Sequence, residues 1–202
     1  MPRQSETDPR PLTGEPLSVD LLNTRWKDAG GAHDLLESTG GLARWLDGSP
    51  LRKALGDRTV SVGGSTGDGD GAVTADRATL DRLLLARTGL ASLIDAPAPW
   101  EPGLADTLNS VLDRGRLRRL LPPDGEPRTE VEVDAASWLP AWLAAEDFLR
   151  LLADRPERIR GCTNEDCVLH FYDVSKNGTR RWCSMAGCGN RAKALRHYAR
   201  HG

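Results

Sequence analysis

The sequence has no stretch approaching the ~18 consecutive apolar residues that a membrane-spanning helix needs. Its first sixteen residues, MPRQSETDPRPLTGEP, contain no apolar centre of a secretion signal. These absences predict a soluble, cytoplasmic protein with no membrane partner. Cysteine is scarce, with four in 202 residues. A chain of this length buries a core without disulfides, and in a reducing compartment clustered cysteines bind metal or react more often than they pair. No acid–nucleophile arrangement is legible around His33 or His170, so no hydrolase chemistry is expected. The run GGSTGDGDG only superficially suggests a phosphate loop. It lacks the Lys-Ser/Thr ending, and Asp68 and Asp70 would repel phosphate, so it reads as a flexible loop. No internal repeat is visible.

What is present is unevenly distributed. From Arg158 to Gly202, nine Lys and Arg oppose Glu165, Asp166 and Asp173, a net of +6. The rest of the chain carries 18 basic and 26 acidic residues, a net of −8. A basic tail on an acidic body implies an anionic partner for the tail, or docking of the tail on the body.

The pattern of apolar residues predicts a mostly helical α+β domain over residues 17–155 after a disordered tail, 1–16, and a cysteine module over 156–202. LSVDLLNTRW reads as a helix with Val19, Leu22 and Trp26 along one side. Asp20, Asn23, Thr24 and Lys27 fall on the other, as a solvated face or the lining of a ligand pocket. In HDLLESTGGLARWLDG, Asp34 reads as an N-cap, and Gly40-Gly41 are a potential break. Residues 74–95 form a long helix ended by Pro97 and Pro99, and a shorter helix follows Pro102. RLRRLL and RTEVEV, separated by PPDGEP, read as a β-hairpin. DAASWLPAWLAAEDFLRLLAD returns to helical spacing, with Pro140 in its first turns.

All four cysteines lie in the last quarter of the chain, as CTNEDC (Cys162, Cys167) and CSMAGC (Cys183, Cys188), with fifteen residues between the pairs. Two such pairs suit a tetrahedral zinc with sulfur at about 2.3 Å. Asn177-Gly178 between them is a hairpin-turn signal. The order knuckle, hairpin, knuckle, helix is that of a treble clef. A Cys2His2 site using Cys183, Cys188, His197 and His201 is excluded, because Cys188 and His197 would lie about 13 Å apart along one helix. Disulfides are disfavoured by the compartment, and redox thiols more often show a single Cys-x2-Cys pair. Four thiolates leave zinc no open position, so the metal is expected to be structural. Ser184 can cap the final helix. On that helix Cys188, Ala192, Leu195 and Ala199 form one stripe, while Lys193, Arg196, His197 and Arg200 occupy one flank. With Lys176, Arg180 and Arg181 this flank is a candidate surface for duplex DNA phosphates, or simply a solvated face. Arg191 lies on the other flank beside Tyr198. It is expected to rest on that ring and donate to backbone carbonyls, the competing reading being contact with a base.

The segment from Cys162 to His201 resembles the CGNR zinc-finger family, named for the run found here as Cys188-Gly189-Asn190-Arg191. LSVDLLNTRW and LARWLDG resemble the opening of the ABATE domain, which accompanies this finger in proteins described as stress-induced transcription regulators. The resemblance implies a treble-clef ribbon holding zinc through Cys162, Cys167, Cys183 and Cys188, and DNA binding by the finger. It also implies an N-terminal domain that senses a small-molecule effector, with Asp20, Asn23 and Thr24 as candidate pocket residues. A protein–protein adaptor with a structural zinc finger is the alternative.

Overall fold

The computed structural model describes residues 8–63 and 73–201, the side chains of residues 195, 196, 198, 200 and 201 excepted. Residues 1–7 of the expected tail and nearly all of the expected Gly/Asp loop, with Asp68 and Asp70, lie outside the described residues.

Helix α1 (Leu17–Leu22) is shorter than its apolar spacing predicts. The Thr24 hydroxyl donates to the Leu21 carbonyl at 2.6 Å, and the chain turns out of the helix there. Strand β1 (Arg25–Asp28) follows and pairs antiparallel with β2 (Gly31–Asp34). Trp26 therefore sits on a strand, its ring stacked on His33 with centroids 5.0 Å apart.

Asp34 caps the next segment as expected, accepting from Leu36 N at 2.9 Å at the start of a 3-10 turn, Leu35–Glu37. Ser38 then caps α2 (Thr39–Gly48) by accepting from Gly41 N at 3.2 Å. The two glycines do not split α2. A Cβ at Gly41 would lie 1.7 Å from the Leu35 carbonyl oxygen, so the absent side chain is what lets the helix close onto that turn.

After α3 (Leu51–Leu55) and β3 (Thr59–Val62), α4 (Arg77–Ile94) runs where the spacing places it, with Asp76 accepting from Thr79 N at 2.8 Å. Helix α5 (Asp106–Leu112) leads into β4 (Gly115–Leu120) and β5 (Arg128–Val133), the expected hairpin. Its register sets Arg116 opposite Glu132 and Arg118 opposite Glu130. Strand β3 joins β5 in parallel, giving the order β3-β5-β4. Helix α6 (Leu139–Asp154), with Pro140 in its first turn, lies against α1 and α4 and completes the core with Trp142, Leu143, Phe148 and Leu151.

Residues 8–16 depart from the expected disordered tail. The Arg10 side chain is fully buried, pairing with Asp8 at 2.7 Å and Asp20 at 2.8 Å. Gly14 N donates to Asp20 Oδ2 at 2.9 Å. A buried carboxylate in α1 needs partners, and this polar segment supplies them.

The C-terminal module comprises β6 (Ile159–Gly161), β7 (His170–Tyr172), a π turn at Met185–Gly189, and α7 (Asn190–His201). Strand β7 pairs antiparallel with β6, so the hairpin wraps the first cysteine pair instead of lying between the two pairs. The reason is local: Cys162 N donates to the Leu169 carbonyl at 2.9 Å, closing the CTNEDC turn as the hairpin's tip. Leu169, Phe171, Cys183 and Cys188 belong to the same contiguous core as α1, α4 and α6.

Candidate metal centre and finger surface

Each knuckle is built by short-range hydrogen bonds. In the first, Cys167 N donates to the Asn164 carbonyl at 2.9 Å. In the second, Ser184 Oγ accepts from Gly187 N at 3.0 Å, and Gly189 N donates to the Ser184 carbonyl at 3.0 Å. This is the cap expected of Ser184, applied to a π turn ahead of α7. A Cβ at Gly189 would meet Met185 Sδ at 2.8 Å, so the exposed Met185 side chain would have to swing aside. Asn190 reaches from its side-chain amide to the Ala186 carbonyl at 3.5 Å. Thr163 N and Oγ1 donate to the Arg181 carbonyl at 2.9 and 3.0 Å, tying the two knuckles together.

The four Sγ atoms of Cys162, Cys167, Cys183 and Cys188 all lie within 4.8 Å of one another. Zinc–sulfur bonds of about 2.3 Å put the corners of a tetrahedron about 3.8 Å apart. Cys167 to Cys183 is 3.8 Å and Cys183 to Cys188 is 3.5 Å. Two N–H groups also point at sulfur, Cys183 N to Cys162 Sγ and Asn164 Nδ2 to Cys188 Sγ, both at 3.4 Å. Such donors suit thiolates better than thiols.

Left to themselves, the four thiols cannot all ionise. The hydrogen bond from Cys183 pulls Cys167 down to about 5. The same bond, followed by burial and the neighbour Cys188, pushes Cys183 far up, and burial raises Cys162. A dication at the centre removes this conflict by stabilising every thiolate at once. The donor set, spacing and N–H···S contacts therefore fit one zinc, and four sulfurs leave no coordination position for water. The metal is structural.

Two family comparisons bear on this geometry. Residues 158–201 match the CGNR zinc finger family. Residues 15–155 match the ABATE family, described as "Putative stress-induced transcription regulator". The chain belongs to the ABATE family. No curated protein matches it. Both families are described as regulator or zinc-finger types, not as enzymes, and no helix among the described residues is long and apolar enough to cross a membrane.

The ABATE residues expected to line a pocket do something else. Asp20, Asn23 and Thr24 each have 0 % exposure. Asp20 accepts from Arg10, Gly14 N and the Trp45 indole at 2.8, 2.9 and 3.0 Å, which leaves it no role as a ligand contact. Thr24 Oγ1 accepts from Arg87 Nη1 at 2.8 Å. Asn23 faces the CGNR finger: its amide donates to the His170 carbonyl and accepts from His170 N, both at 2.9 Å. One side chain thus takes the place of a strand beside β7. Glu15 extends this contact by accepting from Tyr172 N at 2.9 Å.

The finger's cations divide into two groups. Arg158, Arg160 and Arg180 turn inward. Arg158 donates to the carbonyls of Asp173 and Ser175 at 3.0 and 2.6 Å, and Arg160 lies 3.7 Å from the buried Asp173 carboxylate. Arg180, expected on the DNA surface, is instead a brace. It pairs with Glu15 at 3.0 Å, donates to the Trp182 and Cys183 carbonyls at 3.1 and 2.6 Å, and lies over the Phe171 ring at 4.1 Å. Its two guanidinium branches reach the second knuckle and the ABATE domain together, which a phosphate contact would disrupt.

Lys176, Arg181, Arg191 and Lys193 are exposed and form no ion pair among the described residues. Arg181 lies over the Trp182 ring at 5.4 Å. Among the described residues Arg191 makes no hydrogen bond to a backbone carbonyl, and the Asn190 N–H already bonds the Met185 and Gly187 carbonyls of the second knuckle. The side chains of Arg196, Arg200 and Tyr198 lie outside the described residues. Sequence reasoning also missed Asp173, which is 1 % exposed and accepts from Ser175 N and Arg180 N at 2.9 and 3.0 Å. The signal that could have found it was its position, a single acid in the basic run between the knuckles.

Proposed function

We propose that the protein is a transcription regulator whose zinc-held CGNR finger binds duplex DNA through its outward cations. The observation that carries this reading is the division of the finger's charges. Inward arginines are neutralised by Asp173 and Glu15, whereas Lys176, Arg181, Arg191 and Lys193 are exposed without an acid partner among the described residues. A solvated surface with interspersed acids would pair such charges. Unpaired cations on one small module suit a polyanion. The role expected for Lys193, Arg196 and Arg200 together belongs to this proposal, as does Arg191 in place of its expected structural role. Zinc supports the surface by holding the two knuckles, between which Lys176 and Arg181 lie and after which α7 carries Arg191 and Lys193.

The test is fluorescence anisotropy with duplex DNA at several salt concentrations. Replacing Lys176, Arg181 and Lys193 by alanine is expected to weaken binding to all sequences about equally. The log–log salt slope should fall by about 0.9 for each phosphate that the variant no longer neutralises. A triple variant that binds as the parent does at every salt concentration would refute the reading. Exposed Val174 and Met185 on the same finger favour a second reading, a protein-docking adaptor. In that case the chain would show no salt-dependent DNA binding at all.

A further inference from the structure

A cleft of about 360 Å3 opens where the β1–β2 hairpin, the C-terminal half of α4 and the CGNR finger meet. Leu22, Trp26, Ala91 and Ile94 line it from the ABATE domain, and Val168 lines it from the finger. Its volume falls at the low end of the ~300–1,000 Å3 typical of small-molecule sites, too small for a peptide helix. Of the residues expected from the sequence to line a pocket, Lys27 contributes to it, and Asp20, Asn23 and Thr24 do not.

The polar groups around the cleft are mostly committed to one another. Asp34 takes two hydrogen bonds from Arg87, each 2.7 Å. His170 Nε2 lies 3.0 Å from Asp95, and His33 Nε2 lies 2.8 Å from Asp28. Arg25 donates to Asp34 at 3.0 Å, and the remaining charges, Lys27 and Glu37, are exposed and of opposite sign. A net ionic attraction is therefore absent, and an uncharged occupant is favoured. The stacked Trp26 and His33 rings give one side aromatic surface, which suits a flat ring better than an aliphatic chain.

Arg87 has two N–H groups left over. The Arg87 side chain is 4 % exposed. Its Nη1 donates to Thr24 and Asp34 and its Nη2 to Asp34. A guanidinium has five N–H groups, so the Nε–H and one Nη2–H have no acceptor among the described residues. Arg87 lines the cleft, so these N–H groups are available to a ligand oxygen.

We propose that this cleft binds an uncharged, planar aromatic molecule of one or two rings with a carbonyl-type oxygen, which accepts from Arg87. The bound molecule touches both modules at once. Val168 follows the zinc-knuckle residue Cys167 directly, so occupancy holds the finger against the ABATE domain. The inference goes beyond DNA binding and is tested without DNA.

The probe is 2-naphthamide, titrated into the full-length, zinc-loaded chain and followed by amide and indole NMR shifts. Saturable shifts are expected at the Trp26 indole N–H and the Val168 amide at millimolar or lower concentration. Cyclohexanecarboxamide, which keeps the oxygen but lacks the flat ring, is expected to bind at least about tenfold more weakly, a difference of about 1.4 kcal/mol. Ala91→Trp fills the cleft from an exposed position on α4 and should abolish the saturable shifts without altering the melt. Val168→Trp fills it from the finger side and should do the same, which decides the matter if the first variant folds poorly. Shifts that fail to saturate, that survive both fillers, or that the aliphatic amide reproduces with equal affinity would each overturn the proposal.

Discussion

Helix α6 of the ABATE domain buries ten of its sixteen residues. In the CGNR finger the buried apolar residues, among those described, are Leu169, Phe171, Cys183 and Cys188. The first region closes around leucine and tryptophan. In the second, two of the four buried residues are thiols from the metal cluster, and the apolar pair, Leu169 and Phe171, packs into the core of the first region. The difference teaches where order comes from in each. Apolar burial organises residues 17–154, while the finger combines metal ligation at one end with a borrowed core at the other.

The sharpest way to break this comparison is Cys183→Ser. Apparent zinc-binding energies in small fingers are roughly 10–16 kcal/mol, more than two apolar side chains can replace. Metal analysis should fall from one zinc per chain to none, and hydrogen exchange should show residues 162–201 unprotected while α4 and α6 stay protected. Loss of protection in α4 and α6 as well would mean the two regions share one source of order.

Phe171→Ala tests the borrowed core. The side chain is 0 % exposed, and truncating a buried Phe costs about 3–5 kcal/mol. Zinc content should remain at one per chain while the melting temperature of the whole chain drops. An effect confined to the finger would show that its core is its own.

Asn23→Ala is expected to be milder. It removes the two hydrogen bonds to His170, each worth about 0.5–1.5 kcal/mol net. The His170 amide should exchange faster, with zinc retained and the ABATE helices unchanged. Unchanged protection at His170 would mean that Asn23 does not hold the finger.

The smallest effect concerns pH. Burial raises the Asp34 carboxyl, but hydrogen bonds from Arg87 and Arg25 outweigh it and hold the group below the ordinary aspartate range. Its stabilisation is therefore fully present above the unfolded value of about 3.9, and is lost as pH falls through the lower folded value. Asp34→Asn should flatten that acid-side dependence in ABATE-domain melts. The same slope in both proteins would assign it to other carboxylates.

These contrasts also explain what was legible in the sequence. The four cysteines and their knuckles were, because ligand spacing and the Ser184 cap are local. Helices α4 and α6 and the β4–β5 hairpin were legible for the same reason: their periodicity and turn residues lie within the elements themselves. Strand β3 was not recognised, since its partner β5 lies some seventy residues away and only the sheet justifies it. Asp20 and Asn23 misled for a physical reason. Polar residues on a short helix read as solvated, yet the partners of Asn23 lie 147 residues downstream and those of Asp20 include an arginine in a segment that reads as disordered. Arg180 looked like its basic neighbours until Glu15 and the Cys183 carbonyl were placed beside it.

The single amide of Asn23 standing beside β7 has a consequence for how this architecture can be recombined. A finger cut away at its family boundary would carry zinc, but it would also carry a bare strand edge at His170 and the uncovered rings of Phe171 and Tyr172. Such edges invite pairing with any other open strand. A finger grafted onto an unrelated protein would therefore need to bring α1 and the Glu15 segment with it. The inherited unit is the finger together with its seat, and exchange between relatives is expected to respect that larger boundary.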